Sequence, residues 1–204
     1  MRRLEVQPGF VIACCLACFF LPTQLFWPIL LLGAVHELGH LAALGICGVQ
    51  VYGIRLGAFG AVIDTGPMPL AGEALCAFAG PAANLFAFWA LKRAEPGAAV
   101  VSLAMGLGNL LPVRPMDGGR VLSALLGLLL PLRASMAVSN AVEALTLCAL
   151  GVGALALCRR FGPLPAAMYA IVLVHLARER NFGLPSGKFA DIMKQKETCA
   201  RGLT

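Results

Sequence analysis

Long apolar runs separated by short polar segments make up most of the chain. A helix needs roughly 20 residues to cross the hydrocarbon core of a bilayer, and the pattern predicts about six such spans. Their predicted ranges are 9–22, 25–47, 70–91, 97–130, 135–157 and 164–176. The residues after the last run are polar and of mixed charge, which predicts a short solvated tail.

The segment 48–69, between the second and third runs, follows a different pattern. Its β-branched and aliphatic residues are interrupted by Gly53, Gly57, Gly60 and Gly66, which is typical of strands separated by turns. We therefore expect a β-hairpin or a re-entrant strand pair here. The predicted fold class is an all-α polytopic membrane protein with a small membrane-associated β-hairpin between spans two and three.

The fourth run, 97–130, is too long and too polar in its middle for one simple helix. An Asn- and Pro-containing segment at 109–115 interrupts it, and Asp117-Gly118-Gly119 restarts it. Irregular backbone at membrane depth is tolerated only where it is buried in protein or lines a wet cavity. The break therefore indicates a functional site.

A metal-binding pattern, His36-Glu37-Leu38-Gly39-His40, lies inside the second run. Side chains four residues apart share a helix face, so both imidazoles can bind one metal ion while Glu37 reaches a water molecule. Ionisable side chains are costly in a membrane, so their presence in one turn indicates a function. Gly39 also predicts close contact with a neighbouring helix.

Catalytic zinc sites typically use three protein ligands and leave one position for water, so the two histidines lack a partner. Asp117 is the strongest candidate, because the glycines and prolines around it allow a carboxylate to point into a cavity. The alternative is that Asp117 only caps the helix that begins at Gly118. Glu143 and His175 are weaker candidates, as a buried polar residue and an interfacial residue respectively.

Composition supports a membrane protein and argues against a nucleic-acid partner. The chain has 204 residues, of which 59% are hydrophobic and 13% charged, and its mean hydropathy is +0.84. Ordinary soluble domains are about 45–50% apolar. The net charge is +6, but the Lys and Arg residues lie at the ends of apolar runs and form no basic stripe. They are better interpreted as determinants of membrane topology.

The positions of these cations predict the orientation. With a cytoplasmic N-terminus and six spans, most of them face the cytoplasm, whereas Lys92, Arg93, Arg159 and Arg160 face outward. Both termini are therefore predicted to be cytoplasmic. The expected organisation is a first span, a catalytic membrane core, two further spans and a short cytoplasmic tail, at 1–24, 25–134, 135–178 and 179–204.

Three motifs occur in order: the HELGH sequence at 36–40, GPAAN at 80–84, and NLLP at 109–112 followed by PMDGGR at 115–120. This set resembles the site-2 protease family of intramembrane zinc metalloproteases. More narrowly, it resembles the compact branch that contains the stage IV sporulation protein FB. The motifs extend over most of residues 26–130.

The resemblance implies one zinc ion per chain, held by His36, His40 and Asp117, with Glu37 as the general base. It implies that Asn84 lies near the active site and helps to position the substrate or to stabilise the oxyanion. The strand pair would handle the substrate. We expect an exposed strand edge within 48–63 to pair with a substrate segment that has left its helix.

The implied function is cleavage, within or near the bilayer, of a membrane-associated or single-span protein, with a sigma-factor precursor or another membrane-tethered regulator as the expected substrate. The implied location is the bacterial cell membrane, or the membrane around the forespore for a sporulation protein. Two other classes stay open: a catalytically idle membrane scaffold or adaptor of the same fold, and a transporter with intramembrane His and Asp. A membrane regulator and a homo-oligomer are also left open as partners.

Overall fold

The structure is a computed structural model that describes residues 3–57, 60–163, 166–167, 169–171 and 173–174. The strands are β1 (Arg3–Val6), β2 (Val51–Gly57) and β3 (Gly60–Thr65). The helices are α1 (Pro8–Phe20), α2 (Thr23–Ile46), α3 (Leu70–Leu91), α4 (Pro96–Asn109), α5 (Asp117–Leu129) and α6 (Leu132–Phe161). The chain divides into two compact units, Met1–Leu111 and Pro112–Thr204.

Three of the described helices are long and apolar enough to cross a membrane, namely α2, α3 and the range Leu132–Arg160 of α6. Helix α1 is also apolar but has 13 residues. The predicted fourth span is divided as expected, since α4 ends at Asn109 and α5 begins at Asp117. The predicted helical membrane fold with a small β element is confirmed, and the count of six spans stays a prediction.

The predicted tail at 179–204 and His175 lie outside the described residues, as does part of the predicted sixth span. The orientation of the termini is not tested by these helices. It therefore stays a prediction based on the distribution of Lys and Arg.

The hairpin predicted between spans two and three is present. Strands β2 and β3 pair antiparallel, with Ile54 opposite Ile63. Arg55 and Asp64 form an ion pair across it, with Nη2 and Oδ1 2.9 Å apart, and the hydrogen bond to Asp64 together with its charge raises the pKa of Arg55. The hairpin is therefore joined by a charged cross-strand contact as well as by its backbone ladder.

One strand was not predicted from the sequence. Strand β1 pairs parallel with β2, so the order in the sheet is β1-β2-β3 and β2 has a neighbour on each side. Within the described residues, the outer strands are β1 and β3. A substrate strand can therefore not pair with β2. Of the two strands within 48–63, β3 is the one whose edge can still pair with a substrate segment.

Helices α2, α3 and α4 pack together in the first unit. One face of α2 is buried at Leu32, His36, His40 and Leu44, which follow one another every four residues along the helix. A Cβ at Gly39 would lie 2.6 Å from the carbonyl oxygen of Ala79 on α3. Gly39 thus permits the close helix contact that its place in the sequence predicts.

In the second unit, α5 packs against α6. Ser135, Ser139 and Glu143 are buried on α6 at intervals of four residues, so they share one face of the helix. A polar face on an otherwise apolar helix is typical of a surface turned toward protein and away from lipid.

Candidate active site

His36 and His40 lie on the buried face of α2 and are 6% and 8% exposed. Their Nε2 atoms are 3.1 Å apart, and the rings are nearly perpendicular at 83°. Two nitrogens bound to one tetrahedral zinc ion at about 2.0–2.1 Å lie roughly 3.3 Å apart. The spacing of the two Nε2 atoms therefore suits a shared metal ion.

The tautomer of His40 is set by a backbone contact. Its Nδ1 lies 2.7 Å from the carbonyl oxygen of Cys76 on α3. A carbonyl can only accept, so Nδ1 carries the proton and Nε2 keeps its lone pair. Metal-binding histidines are commonly oriented by this kind of contact on the second ring nitrogen.

Asn84 occupies the equivalent place behind His36. Its Nδ2 is 3.4 Å from His36 Nδ1, its side chain is completely buried, and Ser102 donates a 2.8 Å hydrogen bond to its backbone carbonyl. Its Oδ1 has no hydrogen-bond partner among the described residues. Turning the amide over satisfies Oδ1 with the Nδ1 proton of His36 and leaves the lone pair of His36 on Nε2.

Gly80 provides the space in front of the two imidazoles. A Cβ at this position of α3 would overlap Nε2 of His40 and lie 2.9 Å from Nε2 of His36. Every other residue type has this Cβ, so only glycine keeps the space open. The Gly80 and Asn84 positions of the second motif thus have separate roles around the histidines.

Glu37 is half-buried and lies next to the hairpin. Its Oε1 accepts a hydrogen bond from the backbone N–H of Ala61 over 3.2 Å. A Cβ at Gly60, the first residue of β3, would lie 3.7 Å from the same oxygen. The start of β3 therefore contacts the carboxylate that the sequence predicts as the general base.

Asp117 is the first residue of α5 in the second unit and is 8% exposed. The N-cap of α5 is Met116, whose side chain makes no capping hydrogen bond. The helix therefore begins one residue earlier than the interpretation of Asp117 as its N-cap requires. Its Oδ1 lies 3.7 Å from Nη1 of Arg120, and its carboxylate is a buried acidic group at the start of a helix.

Of the weaker ligand candidates, Glu143 is 1% exposed and accepts hydrogen bonds from Arg114. That ion pair was not predicted from the sequence, because 29 residues separate the two positions. The sequence signal that could have indicated the pair is the presence of two opposite charges within apolar segments, since charged residues in a membrane are usually paired.

A scan against protein-family models finds no match. Among curated proteins, "Putative zinc metalloprotease Rip3" of Mycobacterium tuberculosis is 34% identical over 131 residues, which cover 52% of this chain and 33% of the relative. The same protein matches from two strains. The chain thus spans about a third of the length of the curated relatives that it matches.

Among solved structures, the chain is similar to the site-2 protease from Methanocaldococcus jannaschii. The TM-score is 0.58 at 22% sequence identity, with 81% of this chain and 86% of the other covered. The fold is therefore shared with a site-2 protease, and the two comparisons support the resemblance found in the three motifs. The narrower resemblance to the sporulation branch stays a prediction.

Proposed function

We propose that this chain, which has the fold of a site-2 protease, is an intramembrane zinc metalloprotease. It would cut a membrane-associated or single-span protein within or near the bilayer. The observation that carries the proposal is the pair of Nε2 atoms, 3.1 Å apart on a buried helix face, with the half-buried Glu37 between the two histidines in sequence. The mycobacterial relative, by its name a zinc metalloprotease, supports it.

We propose His36, His40 and Asp117 as the protein ligands of one zinc ion. Each offers one ligand atom, and all three side chains are buried. Two imidazole nitrogens and one carboxylate oxygen form a donor set that zinc takes in catalytic sites. When bound, the ion polarises a carbonyl group and makes a water molecule more acidic.

The remaining steps belong to the side chains. Glu37 takes a proton from the attacking water and later delivers it to the nitrogen of the leaving amine. The contacts of His40 with the Cys76 carbonyl and of His36 with Asn84 hold the two rings in place. The complete burial of Asn84 favours this positioning role over direct contact with the substrate or the oxyanion.

The edge of β3 that does not pair with β2 is the proposed contact for the substrate backbone. A helical substrate must lose hydrogen bonds before its peptide bond can be attacked, and a strand edge can replace some of them. Ala61, near the beginning of β3, already contacts Glu37 through its backbone. Pairing with β3 would therefore bring an extended segment close to the proposed base.

The proposed substrate is a sigma-factor precursor or another membrane-tethered regulator. This proposal rests on the resemblance of the motifs to the sporulation branch of the family. The proposed location is the bacterial cell membrane, with several spans and both termini in the cytoplasm. For a sporulation protein it would be the membrane around the forespore.

The test is co-expression of the chain with tagged single-span proteins and pro-sigma candidates, in parallel with the Glu37→Gln variant. We expect a cleaved product with the wild-type chain and none with the variant, while both purified proteins contain zinc. Zinc-loaded wild-type protein that cuts none of these substrates would contradict the substrate assignment. Wild-type protein that takes up no zinc would favour the idle scaffold.

A further inference from the structure

The short segment that precedes α5 is tied to α6 by an ion pair within the second unit. Arg114 donates from Nε and Nη2 to Oε2 of Glu143, at 3.0 and 2.9 Å. The same Nη2 also donates to Oδ1 of Asn140, one turn earlier on α6. The guanidinium is thus fixed at two points on one helix.

The buried surroundings of Glu143 make separation of this ion pair energetically unfavourable. Glu143 is 1% exposed and lies in a helix that is long and apolar enough to cross a membrane. A buried carboxylate that loses its cation is strongly unfavourable, whereas the intact pair adds little to overall stability. Such pairs are better suited to specifying one arrangement of the chain than to stabilising the fold.

The backbone on either side of Arg114 packs against the first turn of α5, which contains Asp117. A Cβ at Gly119 would lie 2.8 Å from the backbone nitrogen of Arg114 and from the carbonyl carbon of Val113. Val113 is 1% exposed, and its carbonyl accepts a 2.9 Å hydrogen bond from the N–H of Met116. The segment from Val113 to Met116 therefore lies directly on the first turn of α5.

We propose that Arg114 and Glu143 are positioning residues that hold the carboxylate of Asp117 in the orientation required of a metal ligand. The connection runs from Glu143 through the guanidinium of Arg114 to a backbone segment that packs on the turn of Asp117. This inference rests on the proposed function, since it assumes that Asp117 binds the ion. It gives α6 a role in the site although α6 supplies no ligand.

The test measures zinc affinity of the full-length chain in detergent, by competition with a chromogenic chelator. Glu143→Gln keeps the shape of the side chain but removes the charge that holds Arg114. We expect its zinc affinity to fall on the order of 10-fold to 100-fold, the range found when supporting contacts of metal ligands are removed. Ser139→Ala is the matched control, because Ser139 is buried one turn earlier on the same face of α6.

A second pair of variants separates positioning from general loss of folding. Arg114→Lys keeps the positive charge but lacks the planar fork that donates from two nitrogens to Glu143, so an intermediate loss of zinc affinity is expected. Exchanging the charges, with Arg114→Glu and Glu143→Arg together, should recover at least part of the affinity that Glu143→Gln loses. Thermal unfolding of each variant without zinc serves as the measure of folding.

Wild-type zinc affinity in the Glu143→Gln variant would overturn the inference and leave the proposed function intact. So would a charge-exchanged protein that folds but binds zinc as poorly as Glu143→Gln. Wild-type protein that binds no zinc at all would instead count against the proposed function itself.

Discussion

The backbone N–H of Ala61 donates a hydrogen bond to Oε1 of Glu37 across 3.2 Å, which joins the β-hairpin to the proposed general base. Gly60, the preceding residue, has a φ of +129°, a backbone conformation that residues other than glycine rarely adopt. Strand β3 therefore contacts Glu37 next to a position whose backbone conformation favours glycine. This contact makes the strand part of the site, and removing the Ala61 N–H is its direct test.

Replacing Ala61 with proline removes the donor to Glu37. A hydrogen bond to a charged group contributes about 1.5–3 kcal/mol to the stability of the arrangement that it holds. Without this bond Glu37 is held less firmly in place, so we expect cleavage of a co-expressed substrate to fall by about tenfold or more. The zinc content should not change, because Ala61 contacts neither histidine among the hydrogen bonds of the described residues. Ala61→Gly keeps the N–H and is expected to cleave at close to the wild-type rate. Equal rates for the two variants would exclude a role for the bond.

Glu37→Gln separates chemistry from metal binding. The amide has nearly the shape of the carboxylate and can still accept from Ala61, but it cannot take a proton from water. We expect the cleavage rate to fall by about 10²–10⁴-fold, the usual contribution of a general base. Zinc content, measured by elemental analysis of the purified protein, should stay at the wild-type level. A variant that still cuts at the wild-type rate would remove Glu37 from the mechanism.

Gly80→Ala tests the space in front of the histidines. The added Cβ would overlap Nε2 of His40 and lie 2.9 Å from Nε2 of His36, so both rings would have to move. We expect zinc content to drop to a small fraction of the wild-type value. Gly72→Ala on the same helix is the control, because its Cβ would meet only Cδ of Pro69 at 3.9 Å. If both variants bind zinc equally, Gly80 has another role.

The sequence predicted much of this architecture because its strongest signals are local. The third predicted span, 70–91, coincides with α3, and the break in the fourth run separates α4 from α5. The apolar runs, the glycines of the hairpin and the HELGH sequence at 36–40 can each be recognised from a short stretch of sequence alone. The resemblance of three motifs then supplied the proposed role of Asn84, and it implied the same third ligand, Asp117, that the break in the fourth run had favoured.

The features that the sequence did not predict depend on contacts between distant residues or on the backbone. Strand β1 has four residues and is recognised only by its pairing with β2. The donor to Glu37 is a backbone N–H, which every residue except proline has, so the identity of Ala61 gives no signal. The Arg114–Glu143 pair required the packing of α6, which no local pattern specifies.

Gly39→Ala tests the contact between α2 and α3. Its Cβ would lie 2.6 Å from the carbonyl oxygen of Ala79 and 2.9 Å from Cβ of Ala83, so the two helices would have to separate. Overpacking of this kind typically costs about 1–3 kcal/mol, and we expect a lower thermal unfolding temperature. Gly45→Ala, at the other end of α2, would meet nothing within 4 Å and should not destabilise the protein. Equal unfolding temperatures for both variants would contradict the close contact.

Asn84 allows the supporting role of a side chain behind His36 to be tested apart from any contact with substrate. Asn84→Leu removes the side-chain amide that lies 3.4 Å from His36 Nδ1, so the ring loses a contact that orients it and zinc affinity should fall by about tenfold. Asn84→Asp keeps an acceptor for the Nδ1 proton, and a carboxylate behind a zinc-bound histidine is a common arrangement. We therefore expect Asn84→Asp to bind zinc close to the wild-type level in the same chelator competition. A role confined to the oxyanion predicts the opposite pattern, in which both variants bind zinc normally and both lose cleavage, because an ionised carboxylate in place of the amide has no hydrogen-bond donor.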